Sequence, residues 1–184
     1  RGAAGALHPG ATVDPGTGGV YGVDANGDDL ANLADEDGVA PTAGVNWVRG
    51  GSGSLTAAVT GGGGFLNCWV DWNRDNDWAD TGEKVVNDTA VVAGANPLSI
   101  SVPAGATAFP TSYIARCRLS PSSGQGAAIT GAVEFGEVED HKWAFGSTGN
   151  RPAPVVVTPA VVNATTLSLS WAAVTGNEGY VVLA

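Results

Sequence analysis

Basic residues are scarce in this chain: 8 Lys and Arg stand against 18 Asp and Glu, a formal charge of -10. Binding to nucleic acid needs a basic face to neutralise phosphates, so that class of partner is excluded. Histidine occurs twice, as His8 and His141, and no Gly-x-Ser-x-Gly elbow is present, so a hydrolase triad has no support. The two cysteines form no Cys-x-x-Cys pair and no Cys/His cluster, which argues against structural zinc. No apolar run is long enough to cross a bilayer, so no membrane insertion is expected. Methionine is absent and Arg1 opens no signal peptide, so the chain reads as a mature or excised piece.

What is abundant points one way. Hydrophobic residues make up 43% of 184, enough for a true core, and there are 28 glycines. Val, Thr and Ala outnumber Leu, Lys and Glu, which favours short strands and tight turns over helices. Alternating segments at 54–60, 65–71, 84–86, 90–92, 96–102, 113–119 and 137–145 predict an all-β fold, an antiparallel β-sandwich. Residues 1–40 form an acidic Gly/Asp-rich leader expected to pack on a sandwich at 41–146. Residues 147–154 read as a proline-bearing linker and 155–184 as a partial second β unit.

The acids are clustered. Asp71, Asn73, Asp75 and Asp77 alternate along one segment, and Glu83 closes it. Ca²⁺ takes about six to eight oxygens, which EF-hand loops supply from alternating positions and a closing glutamate. Glu83 falls one place later than an EF-hand would have it. A turn held by local side-chain to backbone bonds would explain two of these residues but scarcely five, so a metal loop is the favoured reading. Asp24, Asn26 and Asp28, followed by Asp35, repeat the triplet; here a metal site and a solvated acidic leader weigh equally. Glu137 and Glu139 share one strand face by period two. They would reach an ion, alone or with an acidic loop, or pair with Arg116 and Arg118 across a sheet.

Cys68 and Cys117 each sit on the inward side of an alternating strand. A disulfide between them would close a loop of about 50 residues and stabilise by roughly 4 kcal/mol; the alternative is two buried thiols. Trp72 and Trp78 flank the acidic loop, where exposed rings beside Ca²⁺ would bind glycans; rings covering the sandwich are the commoner use. Asn87-Asp-Thr89 and Asn163-Ala-Thr165 fit the glycan-acceptor pattern.

Three segments together resemble the bacterial GEVED domain family over about residues 19–145. They are Gly27-Asp28-Asp29-Leu with Asp35-Glu36-Asp37-Gly38-Val39, then Leu66-Asn-Cys-Trp-Val-Asp71-Trp-Asn73-Arg-Asp75-Asn-Asp77-Trp, then Gly136-Glu137-Val138-Glu139-Asp140. The resemblance implies a secreted or cell-surface β-sandwich module, one bead of a multidomain bacterial protein. Two loop glycines of the family pattern are Arg74 and Asn76 here, and His141 stands where Tyr is usual. The tail, with Leu167-Ser-Leu-Ser-Trp171 and Gly179-Tyr-Val-Val, looks like the opening strands of a fibronectin type III domain.

The expectation is a non-catalytic, calcium-stabilised extracellular module with a structural or adhesive role. Its partners would be other domains of a surface protein or copies of itself. Alternatives are a filament or layer subunit that donates strands from its tail, and a carbohydrate-binding module of a secreted enzyme.

Overall fold

The computed structural model describes residues 38–109, 112–131 and 136–145 with their side chains, residues 22 and 25, and the backbone of 8–9, 160–163 and 166–168. Ten strands are present among them: β1 (His8–Pro9), β2 (Val39–Pro41), β3 (Ser52–Thr60), β4 (Gly64–Val70), β5 (Lys84–Val91), β6 (Gly94–Ser101), β7 (Ser112–Ser120), β8 (Glu137–Ala144), β9 (Ala160–Asn163) and β10 (Thr166–Ser168). All pairings are antiparallel, and the described residues contain no helix.

One sheet centres on β3, which pairs with β6 on one side and with β1 and β2 on the other. The other runs β5-β4-β7-β8, while β9 and β10 pair with each other. The two larger sheets form the expected all-β sandwich. Alternation decides which residues meet between them. Gly53, Leu55, Ala57 and Val59 point inward from β3. They face Leu66, Cys68 and Val70 of β4 and Tyr113, Ala115, Cys117 and Leu119 of β7 in one continuous core. Gly53 is required there, because a Cβ would lie 2.2 Å from the Trp47 ring.

The β5-β4-β7-β8 sheet is buried on both faces. Asn67, Trp69, Ile114, Arg116, Arg118 and Ser120 occupy its outer side and are all buried. Residues 122–131 cross that side as a strap fastened by polar bonds. Asp88 binds Ser123 Oγ at 2.5 Å and Gly124 N at 2.9 Å, Lys84 Nζ donates to Ala127 O at 2.9 Å, and Arg118 donates to the carbonyls of Ala128, Thr130 and Gly131.

Two boundaries differ from the sequence reading. Residues 84–86 and 90–91 belong to one strand, β5, interrupted by register shifts against β4, with Asp88 at φ 45°, and Val92 lies beyond its end. Val39–Pro41 pairs with Leu55–Ala57, so the end of the leader is a strand of the sandwich. Asp24, Asn26, Asp28, Asp35, the linker and, apart from the backbone of 160–163 and 166–168, the fibronectin-like tail at 155–184 lie outside the described residues.

Candidate functional site

The acidic loop joins β4 to β5, and the ladder holds its base. Val70 N donates to Glu83 O at 2.9 Å and Asp71 N to Ile114 O at 3.0 Å, fixing the Glu83 end to β4 and the Asp71 end to β7. Within the loop, each acid folds the backbone around itself. Asp71 accepts from Arg74 N (2.6 Å) and Asn76 N (3.1 Å), Asn73 Oδ1 from Asp75 N, Asp75 Oδ1 from Asp77 N, and Asp77 Oδ1 from Ala79 N. With the two that Glu83 accepts, such bonds engage all five residues of the run, against the expectation that local bonds would explain only two. They account for the recurrence at every second position without an ion.

The loop has a buried pair and an exposed group. Asp71 and Glu83 are buried at 0% and 2% exposure. Glu83 spans the loop, accepting from Trp72 N at 3.1 Å through Oε1 and from Asp80 N at 3.1 Å through Oε2. Burial pushes its carboxyl up to about 7; the Asp80 and Trp72 N–H groups oppose this, and the Asp71 and Asp80 charges add to it. Asn73, Asp75, Asp77 and Asp80 are exposed. The Asn73 amide nitrogen donates to Asp75 Oδ2 at 3.0 Å and to Asp80 Oδ2 at 2.5 Å, so a partial positive charge sits between two carboxylates. Asp80 was missed by the alternation because it breaks the period of two. Its position midway between Asp77 and Glu83 was the available signal.

Arg74 and Asn76 adopt φ 64° and 75°, the left-handed region that glycine enters most easily. The chain therefore keeps a glycine-type backbone where the family pattern has glycine. The Arg74 side chain is exposed.

Trp72 and Trp78 do not form an exposed platform. Trp72 is 2% exposed and packs among Trp47, Tyr113 and Phe145, with centroids 6.2, 5.4 and 5.4 Å away. Trp78 is buried on the opposite face of the sheet with Trp69 and Ile114, and Arg116 lies over its ring at 5.0 Å. Flanking an acidic loop does not place rings in solvent when both sheet faces are covered.

On β8 the register corrects the expected ion pairs. Cys117 faces Glu139 and Leu119 faces Glu137, so both glutamates share the core side of the ladder. Arg116 and Arg118 are on the outer side, where Asp140 is the residue opposite Arg116. Arg116 grips Asp140 with two bonds, Nε to Oδ1 at 2.6 Å and Nη2 to Oδ2 at 2.7 Å. Glu139 turns instead toward β2: its Oε1 accepts from Gly38 N at 3.2 Å, and its Oε2 lies 3.2 Å from His141 Nε2, outside hydrogen-bond geometry. The motif strand thus reaches the residue immediately before β2. His141 also stacks on Trp143 at 4.9 Å. Among the described residues, no group of three or more His, Cys, Asp or Glu is placed to hold a metal ion.

Cys68 and Cys117, register partners on β4 and β7, are bonded to each other, with Cα atoms 4.2 Å apart. No curated protein and no solved structure matches the chain. Residues 65–143, from β4 through Trp143 of β8, match the family model of the GEVED domain.

Proposed function

We propose that this chain is a non-catalytic structural module, built for the outside of a bacterial cell, whose 71–83 loop is held by calcium. The observation that carries the reading is the Asn73 amide lodged between Asp75 and Asp80, a cation-seeking arrangement of exposed oxygens. Asn73, Asp75 and Asp80 would supply ligands, while Asp71 and Glu83 hold the backbone that presents them. Hard oxygen donors on a turn of fixed shape suit Ca²⁺ and suit zinc poorly. Calcium would offset the mutual repulsion of these acids and add stability by mass action.

The buried Cys68–Cys117 bond supports an oxidising compartment, hence secretion or surface display. Neighbouring domains of a larger surface protein are the partners proposed. Strand donation to copies of itself is the weaker reading. Pro97 sits in the middle of β6, which pairs only with β3 among the described residues, and it leaves a gap in any donor row offered to an incoming strand. Glycan binding through Trp72 and Trp78 is not proposed, since both rings are buried.

The test is calcium titration followed by calorimetry. The unaltered chain should bind Ca²⁺, and Asp75→Ala combined with Asp80→Ala should weaken binding by about 100-fold while the fold survives. Equal affinity in both proteins would refute the site.

A further inference from the structure

Trp78 ties the acidic loop to the outer face of the β5-β4-β7-β8 sheet. It stands between Asp77 and Asp80, and the bond from Ala79 N to Asp77 Oδ1 at 2.8 Å folds the backbone around it. Its ring lies buried with Trp69 of β4 and Ile114 of β7. Two contacts seat the ring there. Its Nε1 donates to Ile114 O at 3.4 Å, and the Arg116 guanidinium lies 5.0 Å from its centroid. A large ring packed this closely shifts only if the backbone of residues 77–80 shifts with it.

Two residues from elsewhere in the chain pack on the same cluster. One is Ile129 of the strap, and the other is Ala25 of the acidic leader. The Ala25 N–H donates to Gly22 O at 3.0 Å, and the residue adopts φ 56°. Alanine enters this left-handed region at a cost that glycine or asparagine would largely avoid. Contact with the cluster is what the structure sets against that cost. The chain is fastened again at Gly38, whose N–H donates to Glu139 Oε1. Ala25 is therefore a separate attachment, made to the cluster that holds the loop's own tryptophan.

We infer that the acidic loop is a calcium-dependent latch for the leader: an ion on Asn73, Asp75 and Asp80 fixes the seat of Trp78 and thereby the docking of Ala25. This inference rests on the calcium reading proposed above. The Asn73 amide bridges the Asp75 and Asp80 carboxylates, which otherwise repel each other. An ion among them stiffens residues 75–80, which carry Trp78, and so lowers the entropy lost when Ala25 packs on its cluster. Coupling of this kind is reciprocal. Docking of the leader tightens calcium by the same factor that calcium tightens docking.

Hydrogen exchange at the Ala25 amide of the full chain reads the latch. Saturating calcium should slow that exchange about 10-fold relative to a chelator. Ala25→Asn suits the left-handed backbone but sets a polar side chain against the rings. It should stay folded and bind calcium about 10-fold more weakly by calorimetry. Asp75→Ala combined with Asp80→Ala should abolish the effect of calcium on Ala25 exchange. Calcium binding with unchanged Ala25 exchange, and equal affinity in Ala25→Asn, would overturn the latch and leave the calcium site standing. Slowing that persists in the double variant would show that the leader takes the ion through its own acids, which overturns the latch as well. No calcium binding at all would remove the site and the latch together.

Discussion

Arg116 and Asp140 face each other across β7 and β8, joined by bonds of 2.6 and 2.7 Å, with both side chains wholly inaccessible to solvent. Removing one charge of such a pair leaves the other buried and uncompensated. Asp140→Asn should therefore lower stability by roughly 3–5 kcal/mol in urea unfolding. Within the same motif, Glu139→Gln keeps an acceptor for Gly38 N and should cost clearly less. Equal losses would mean that the two acids share a role, which the register denies.

Arg74 occupies the left-handed region at φ 64° with an exposed side chain. Arg74→Gly relieves the Cβ strain, offset in part by the extra freedom of glycine when unfolded. A gain of about 0.5–1 kcal/mol is expected in calcium-saturated protein. Arg74→Val, branched at Cβ, should lose about as much or more. A stabilising valine would show that the loop takes another shape in solution.

The strands and the alternation of their inner faces were legible because one face of each is apolar, as with Leu66, Cys68 and Val70. The outer face of β4 and β7 was not. Nothing in the sequence marks Asn67, Arg116 and Arg118 as buried, because what covers them is the strap, a Gly- and Ser-rich run without periodicity. The wrong ion pairs on β8 have the same origin. Period two puts Glu137 and Glu139 on one face, but only the strand register says which residues lie across from them. In the acidic loop, Asp71 and Glu83 were legible as members, yet sequence could not separate buried braces from exposed oxygens. That separation depends on which end of the loop the β4–β5 ladder clamps. Asp88 shows the same limit: an αL residue inside a strand joined two short apolar runs into one.

The Cys68–Cys117 bond spans a sequence separation of 49. By the chain-entropy model, Cys68→Ala with Cys117→Ala should lose roughly 4 kcal/mol, measured by chemical denaturation at fixed calcium. Because both sulfurs are fully buried, a mild reductant should leave the folded protein oxidised and act only as denaturant is added. Ready reduction of the native state would contradict this burial.

Asp88 offers a test by pH. Its carboxyl is held below the ordinary 3.8, first by the Ser123 hydroxyl and then by the Gly124 N–H. A depressed folded value means stability present above pH 3.8 and lost as pH falls through the folded value. The stability difference between the unaltered chain and Asp88→Asn should be level from about pH 5 to 7 and shrink in stronger acid. A difference independent of pH would show that the strap does not depend on that charge.

Calcium-dependent melting tests the central claim most directly. With free Ca²⁺ about 100-fold above its dissociation constant, Tm should exceed that in a calcium chelator by roughly 10 °C. Magnesium at the same concentration should restore little of the difference. Identical melting in calcium and in chelator would contradict the account.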